Sequence, residues 1–84
     1  MDNKFKNIAV VYLGSGDTCK ALGSVTGSEY IFKKNESRMP LPTNIDERDL
    51  QGFLGKRGKK NERLFMSSIE WNLALEEGVA SNSL

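Results

Sequence analysis

Pro40 and Pro42 stand one residue apart in Met39-Pro40-Leu41-Pro42, and no other feature limits the fold of this chain as much. Each proline lacks a backbone donor, and each drives the residue before it out of helical space. Residues 39–42 are therefore extended, as an edge strand or a covering arm rather than a central strand. A polyproline ligand for a recognition domain is the weaker reading, since a single Pro-x-Pro has no flanking prolines.

Ahead of the prolines the chain alternates short apolar runs with turn signals. Asn7 to Leu13 (NIAVVYL) is rich in β-branched residues and stops at Gly14-Ser15-Gly16-Asp17, the pattern of a strand ending in a hairpin connection. The GSGD run lacks the lysine and hydroxyl residue of a phosphate loop and the third glycine of a dinucleotide fingerprint. Thr18 to Val25 is a second strand with Gly23 as a bulge or bend, and Thr26-Gly27-Ser28 turns into a third, Glu29 to Lys33. Period two places Tyr30 and Phe32 on a core face and Glu29, Ile31 and Lys33 on a mixed outer face. Residues 34–38 form a polar, solvated loop.

After the prolines, the stretch opening at Thr43 is the clearest helix, with Asp46 as N-cap, Glu47 and Asp49 in the first turn and Gly55 as the stop. Leu50, Phe53 and Leu54 make its apolar stripe, and Ile45 is placed to staple against Leu50. Asp46 and Asp49 invite an acid/base or metal reading, but capping accounts for carboxylates at these positions. Arg63 to Met66 reads as a short strand. Ser67 to Leu75 is ambiguous. Period two aligns Ile69, Trp71, Leu73 and Leu75, whereas the helical period aligns Met66, Ile69 and Leu73 behind a Ser67 or Ser68 cap.

The core available to these elements is Ile8, Val10, Tyr12, Leu22, Val25, Tyr30, Phe32, Leu50, Phe53, Leu54, Leu64, Phe65, Ile69, Trp71, Leu73 and Leu75, enough for one small domain over 1–78 with a flexible tail over 79–84. The expected fold is mostly β with one short helix, a β-rich α+β fold of SH3-like or open antiparallel barrel type. No apolar run approaches the roughly 18 residues that span a bilayer, and no apolar stretch of an export signal follows MDNKFKN, so the expectation is a soluble chain.

Twelve lysines and arginines against eleven acids give a net charge of +1, so any affinity for nucleic acid has to come from a local patch. Lys56, Arg57, Lys59 and Lys60, four cations in five residues, are the candidate DNA-phosphate contacts, and the alternative is a solvated loop beside a helix C-terminus. The chain has no histidine, which removes histidine general-base catalysis, histidine metal ligation and Ser-His or Cys-His pairs together. Cys19 is the sole cysteine and implies no disulfide framework; beside Lys20 but with no base in reach, it reads as a half-buried strand residue rather than a nucleophile. No cofactor and no metal is expected.

Val25 to Gly55, with Gly27, Tyr30, Phe32, Ile45, Asp46, Asp49, Leu50 and Leu54 at the matching positions, resembles small bacteriophage proteins of the head, neck and tail region. In these a V-x-G-x-x-Y-x-F strand precedes an aspartate-opened short helix. The resemblance implies a virion structural or assembly protein, not an enzyme, made in the host bacterial cytoplasm and held by edge pairing and apolar contacts to copies of itself or to other virion proteins. Met39, Leu41 and Trp71 are the candidate partner contacts, and in that setting the basic residues are candidate contacts to packaged DNA. The segment from Lys56 onward departs from that pattern. Two alternatives stand beside it: a small nucleic-acid-binding module using 56–60, and a phage inhibitor of a host protein.

Overall fold

A computed structural model of the chain describes residues 6–82, with side chains described through residue 77. In chain order its elements are β1 (Asn7–Tyr12), β2 (Thr18–Leu22), β3 (Glu29–Lys33), β4 (Thr43–Asp46), a 3-10 turn (Glu47–Asp49), α1 (Leu50–Leu54), β5 (Phe65–Ser67) and α2 (Ser68–Asn82). The strands form two antiparallel sheets, β4-β1-β5 and the hairpin β2-β3. This is the expected β-rich α+β fold, and its sheets do not close into a barrel.

β1 is central because its apolar residues alternate against two partners: Ile8 opposes Ile45 in β4, and Tyr12 opposes Phe65 in β5. β1 and β2 do not pair, so Gly14 to Asp17 is a crossover between sheets and not the expected hairpin connection. The loop at 34–38 is exposed from Asn35 to Arg38, as expected, and it also ties down this crossover. Lys34 donates to the Gly14 carbonyl and lies over the Tyr12 ring, 5.6 Å from its centroid, and Arg38 bonds the Ser15 carbonyl at 3.0 Å. The proline segment covers the edge of β3, with Pro40 bridging to Lys34 and the Leu41 amide donating to the Lys33 carbonyl at 2.9 Å. The free edge of the hairpin is therefore β2.

Phe32, Phe53 and Phe65 form the centre of the core, with ring centroids 4.9 to 5.5 Å apart in tilted and edge-to-face pairs. Val10 and Ile45 complete it. Burying each phenylalanine contributes about 1.5–3 kcal/mol, and all three are almost wholly buried.

The structure corrects the expected start of the helix and resolves the segment that the sequence left ambiguous. Thr43 to Asp46 is a strand, because Ile45 is buried opposite Ile8 rather than stapled outside a helix. Asp46 does cap, accepting from the Arg48 amide, but the element it caps is a 3-10 turn that leads into a short α1. The ambiguous segment at 67–75 is helical from Ser68, with the Ser67 hydroxyl accepting from the Glu70 amide at 3.1 Å. That helix runs through Asn82, across most of the expected tail. The core also differs in membership. Leu22, Val25, Ile69 and Leu73 are 63%, 62%, 75% and 55% exposed, and Leu75 is exposed too, while Val11 and Ile45 are buried. No helix among the described residues is long and apolar enough to cross a membrane.

Candidate functional site

Asp46 and Asp49, the pair of carboxylates that the sequence places at a helix start, have separate environments. Asp46 stays near the surface and holds Arg48, whose Nε and Nη2 donate to it at 3.0 and 2.8 Å. Hydrogen bonds from Arg48 keep its carboxyl below the usual range. Asp49 makes no cap bond to its own helix. It is fully buried and turned toward the β2-β3 corner, where Oδ1 accepts from the Val25 and Thr26 amides at 2.9 and 3.0 Å. Its Oδ2 accepts from the Thr26 hydroxyl at 2.6 Å and the Tyr30 hydroxyl at 2.9 Å.

Burial alone pushes the Asp49 carboxyl up, but the bonds from Thr26, Val25 and Tyr30 outweigh it and bring it down to about 2. A carboxylate so placed is an ionised structural acceptor and not a proton donor at neutral pH. Gly23 is part of the same arrangement, since a Cβ there would overlap the Asp49 carboxylate.

Cys19 lies half-buried on β2 and packs against the core. Burial pushes its thiol up, and Lys56, not the adjacent Lys20, is the cation that opposes the shift. Among the described residues no three histidine, cysteine, aspartate or glutamate side chains gather at a metal-binding distance.

The three candidate partner contacts are not gathered into one patch. Met39 and Leu41 are exposed on the proline segment beside β3, while Trp71 is half-buried on α2 and outside the core cluster. A second apolar surface joins Leu41. Ile31 stands opposite Lys20 in the hairpin register, Leu22 is its diagonal neighbour, and Leu41 runs alongside Lys33. Leu22, Ile31 and Leu41 are all exposed on the outer face, on the side away from Tyr30 and Phe32.

α2 carries a third such surface. Its main contacts are with β1 and β5, yet every residue from Asn72 to Glu77 is exposed. Six consecutive exposed residues cover the full circumference of a helix, so α2 leaves the body of the domain after its first turn. Ile69 and Leu73 share a stripe with Glu76 and Glu77.

Lys56, Arg57, Lys59 and Lys60 are all on one tip, closed by an Arg57–Arg63 bridge and by the Gly58 amide donating to the Glu62 carbonyl at 2.9 Å. Arg57 turns back to the Leu54 carbonyl at 3.3 Å, and the Glu62 carboxylate accepts from the Lys60 amide at 2.9 Å, so an acid sits within the basic tip.

Sequence reasoning missed the outward faces of Leu22, Ile69 and Leu73 because it assigned them to the core. For Leu22, the alternation that puts Cys19 and Ala21 inward carried the signal. Comparison of the chain with protein-family models, curated proteins and solved structures finds no match to any of them.

Proposed function

We propose that this chain is a non-enzymatic assembly subunit that acts through protein–protein contacts, and that the assembly is a bacteriophage virion. The observation that carries the first part is the all-round exposure of α2 from Asn72 to Glu77. A short helical stretch without tertiary support is marginal in water, so one that carries Leu73 and Leu75 into solvent is explained by a partner that covers it. The virion setting rests on the resemblance of residues 25–55. The test is quantitative mass spectrometry of gradient-purified particles of the phage that encodes the chain. A fixed copy number per particle is expected, and absence from the particles overturns the virion reading.

The cations at 56–60 favour a second reading, a non-specific nucleic-acid contact, because the lysines there have no ion-pair partner among the described residues. Duplex DNA binding that falls steeply with salt, and loses slope in Lys59→Ala/Lys60→Ala, is its signature.

A further inference from the structure

The partner of α2 can be named more closely from charge and shape, on the reading that the chain works through protein–protein contacts. α2 carries Glu70, Glu76 and Glu77 and no cation through Asn82. Glu70 is paired with Arg63 at 2.8 Å. Glu76 and Glu77 lie in the C-terminal half and have no ion-pair partner among the described residues. Two copies of α2 laid parallel would set these acids against each other, and laid antiparallel about Leu73 would bring them toward Glu70 and the Arg63 it already holds, so a symmetric helix pair offers them no free cation.

The outer hairpin face has the complementary character. Lys20 stands opposite Ile31 and Lys33 lies two residues along, with Leu22 and Leu41 beside them; Glu29, opposite Leu22, is the one acid on β2 or β3 that shares this face, at the end away from Lys33. The basic tip at 56–60 offers charge but no exposed large apolar side chain. Among the described residues, only the hairpin face presents both of the properties that the Ile69, Leu73, Glu76 and Glu77 stripe requires.

We infer that α2 of one copy docks on the outer β2-β3 face of a second copy, Leu73 against Ile31 and the two terminal glutamates against Lys20 and Lys33. The donor and acceptor surfaces are different, so the contact is head-to-tail and repeats as a ring or an open chain.

Analytical ultracentrifugation of wild type and two surface variants tests this. Ile69→Gln/Leu73→Gln removes the donor stripe and keeps helix formers; Leu22→Thr/Ile31→Thr removes the acceptor and keeps strand formers. Wild type is expected to associate with concentration, each variant alone to associate at least tenfold more weakly, and the equimolar mixture to stop at one heterodimer joined through the intact surface of each. Circular dichroism melts within a few degrees of wild type show that the variants fold. A melt lowered well beyond that moves the same test to the charge-reversed pair Glu76→Lys/Glu77→Lys and Lys20→Glu/Lys33→Glu, expected to associate only when mixed. A monomeric wild type, or variants that associate like it, overturns the inference. If a monomer is nevertheless present at fixed copy number in particles, the assembly reading survives with a different partner; if it is absent from particles too, both fall.

Discussion

The Tyr30 hydroxyl donates to the buried carboxylate of Asp49 at 2.9 Å and accepts from the Asp46 amide at 3.1 Å, joining the hairpin to the segment that leads into α1. The two sheets share no strand ladder, and this link, the Thr43 hydroxyl donating to the Ile31 carbonyl at 3.0 Å and the phenylalanine trio are among the contacts that hold them together. Tyr30→Phe keeps the ring against Phe53 but leaves both partners short of a bond. A loss of about 2 kcal/mol in denaturant unfolding is expected. Asp49→Ala strands four donors and is expected to lower the melting temperature by about 15 °C. Unchanged melting of Asp49→Ala would mean the carboxylate does not organise the corner.

Acid sensitivity stems from the same carboxylate. Its folded value is lowered from 3.8 to about 2, so its stabilising contribution is fully present above about pH 4 and disappears as pH falls through about 2. Stability measured by urea unfolding from pH 5 to pH 2 should drop in wild type, and Asp49→Asn should show a shallower drop across that window. Parallel curves for the two proteins would contradict the assignment.

Gly23 is required by contact. A Cβ there would meet the Asp49 carboxylate, which four hydrogen bonds hold in place. Gly23→Ala is expected to destabilise by about 2 kcal/mol and, because the clash vanishes when the carboxylate is gone, to cost much less in an Asp49→Ala background. Simple additivity of the two substitutions would show that Gly23 serves some other need.

Cys19 should be a slow thiol. Burial raises its pKa, with Lys56 opposing only in part, so labelling by a maleimide at pH 7 should run several-fold slower than in the urea-unfolded chain. Lys56→Ala should slow it further. Equal rates folded and unfolded would remove the burial argument.

The fold was legible where side-chain period and turn chemistry agree, as in β3, where Tyr30 and Phe32 face inward and Gly27 takes φ of 74° in the corner. It was illegible where two local signals compete. Ile45 fits a hydrophobic staple as well as a strand, and only its pairing with Ile8, far away in sequence, decides for the strand. Asp49 sits in a first helical turn and so looks like a dipole partner; nothing local shows that the β2-β3 corner returns to cover it. In α2, a Ser67 or Ser68 cap with Met66, Ile69 and Leu73 at helical period allowed a helix, but the alternation of Ile69, Trp71, Leu73 and Leu75 fitted a strand as well. The candidate surface was hidden for a related reason, since an apolar residue on a strand or helix reads as core until its face is known.

Docking of α2 from one copy on the outer hairpin face of another is tested most directly by zero-length carboxyl-to-amine cross-linking of a mixture of unlabelled and nitrogen-15-labelled chain. Mixed-isotope peptide pairs joining Glu76 or Glu77 to Lys20 or Lys33 are predicted. Mixed-isotope pairs that join those glutamates only to Lys56, Lys59 or Lys60, or same-isotope pairs alone, would contradict it.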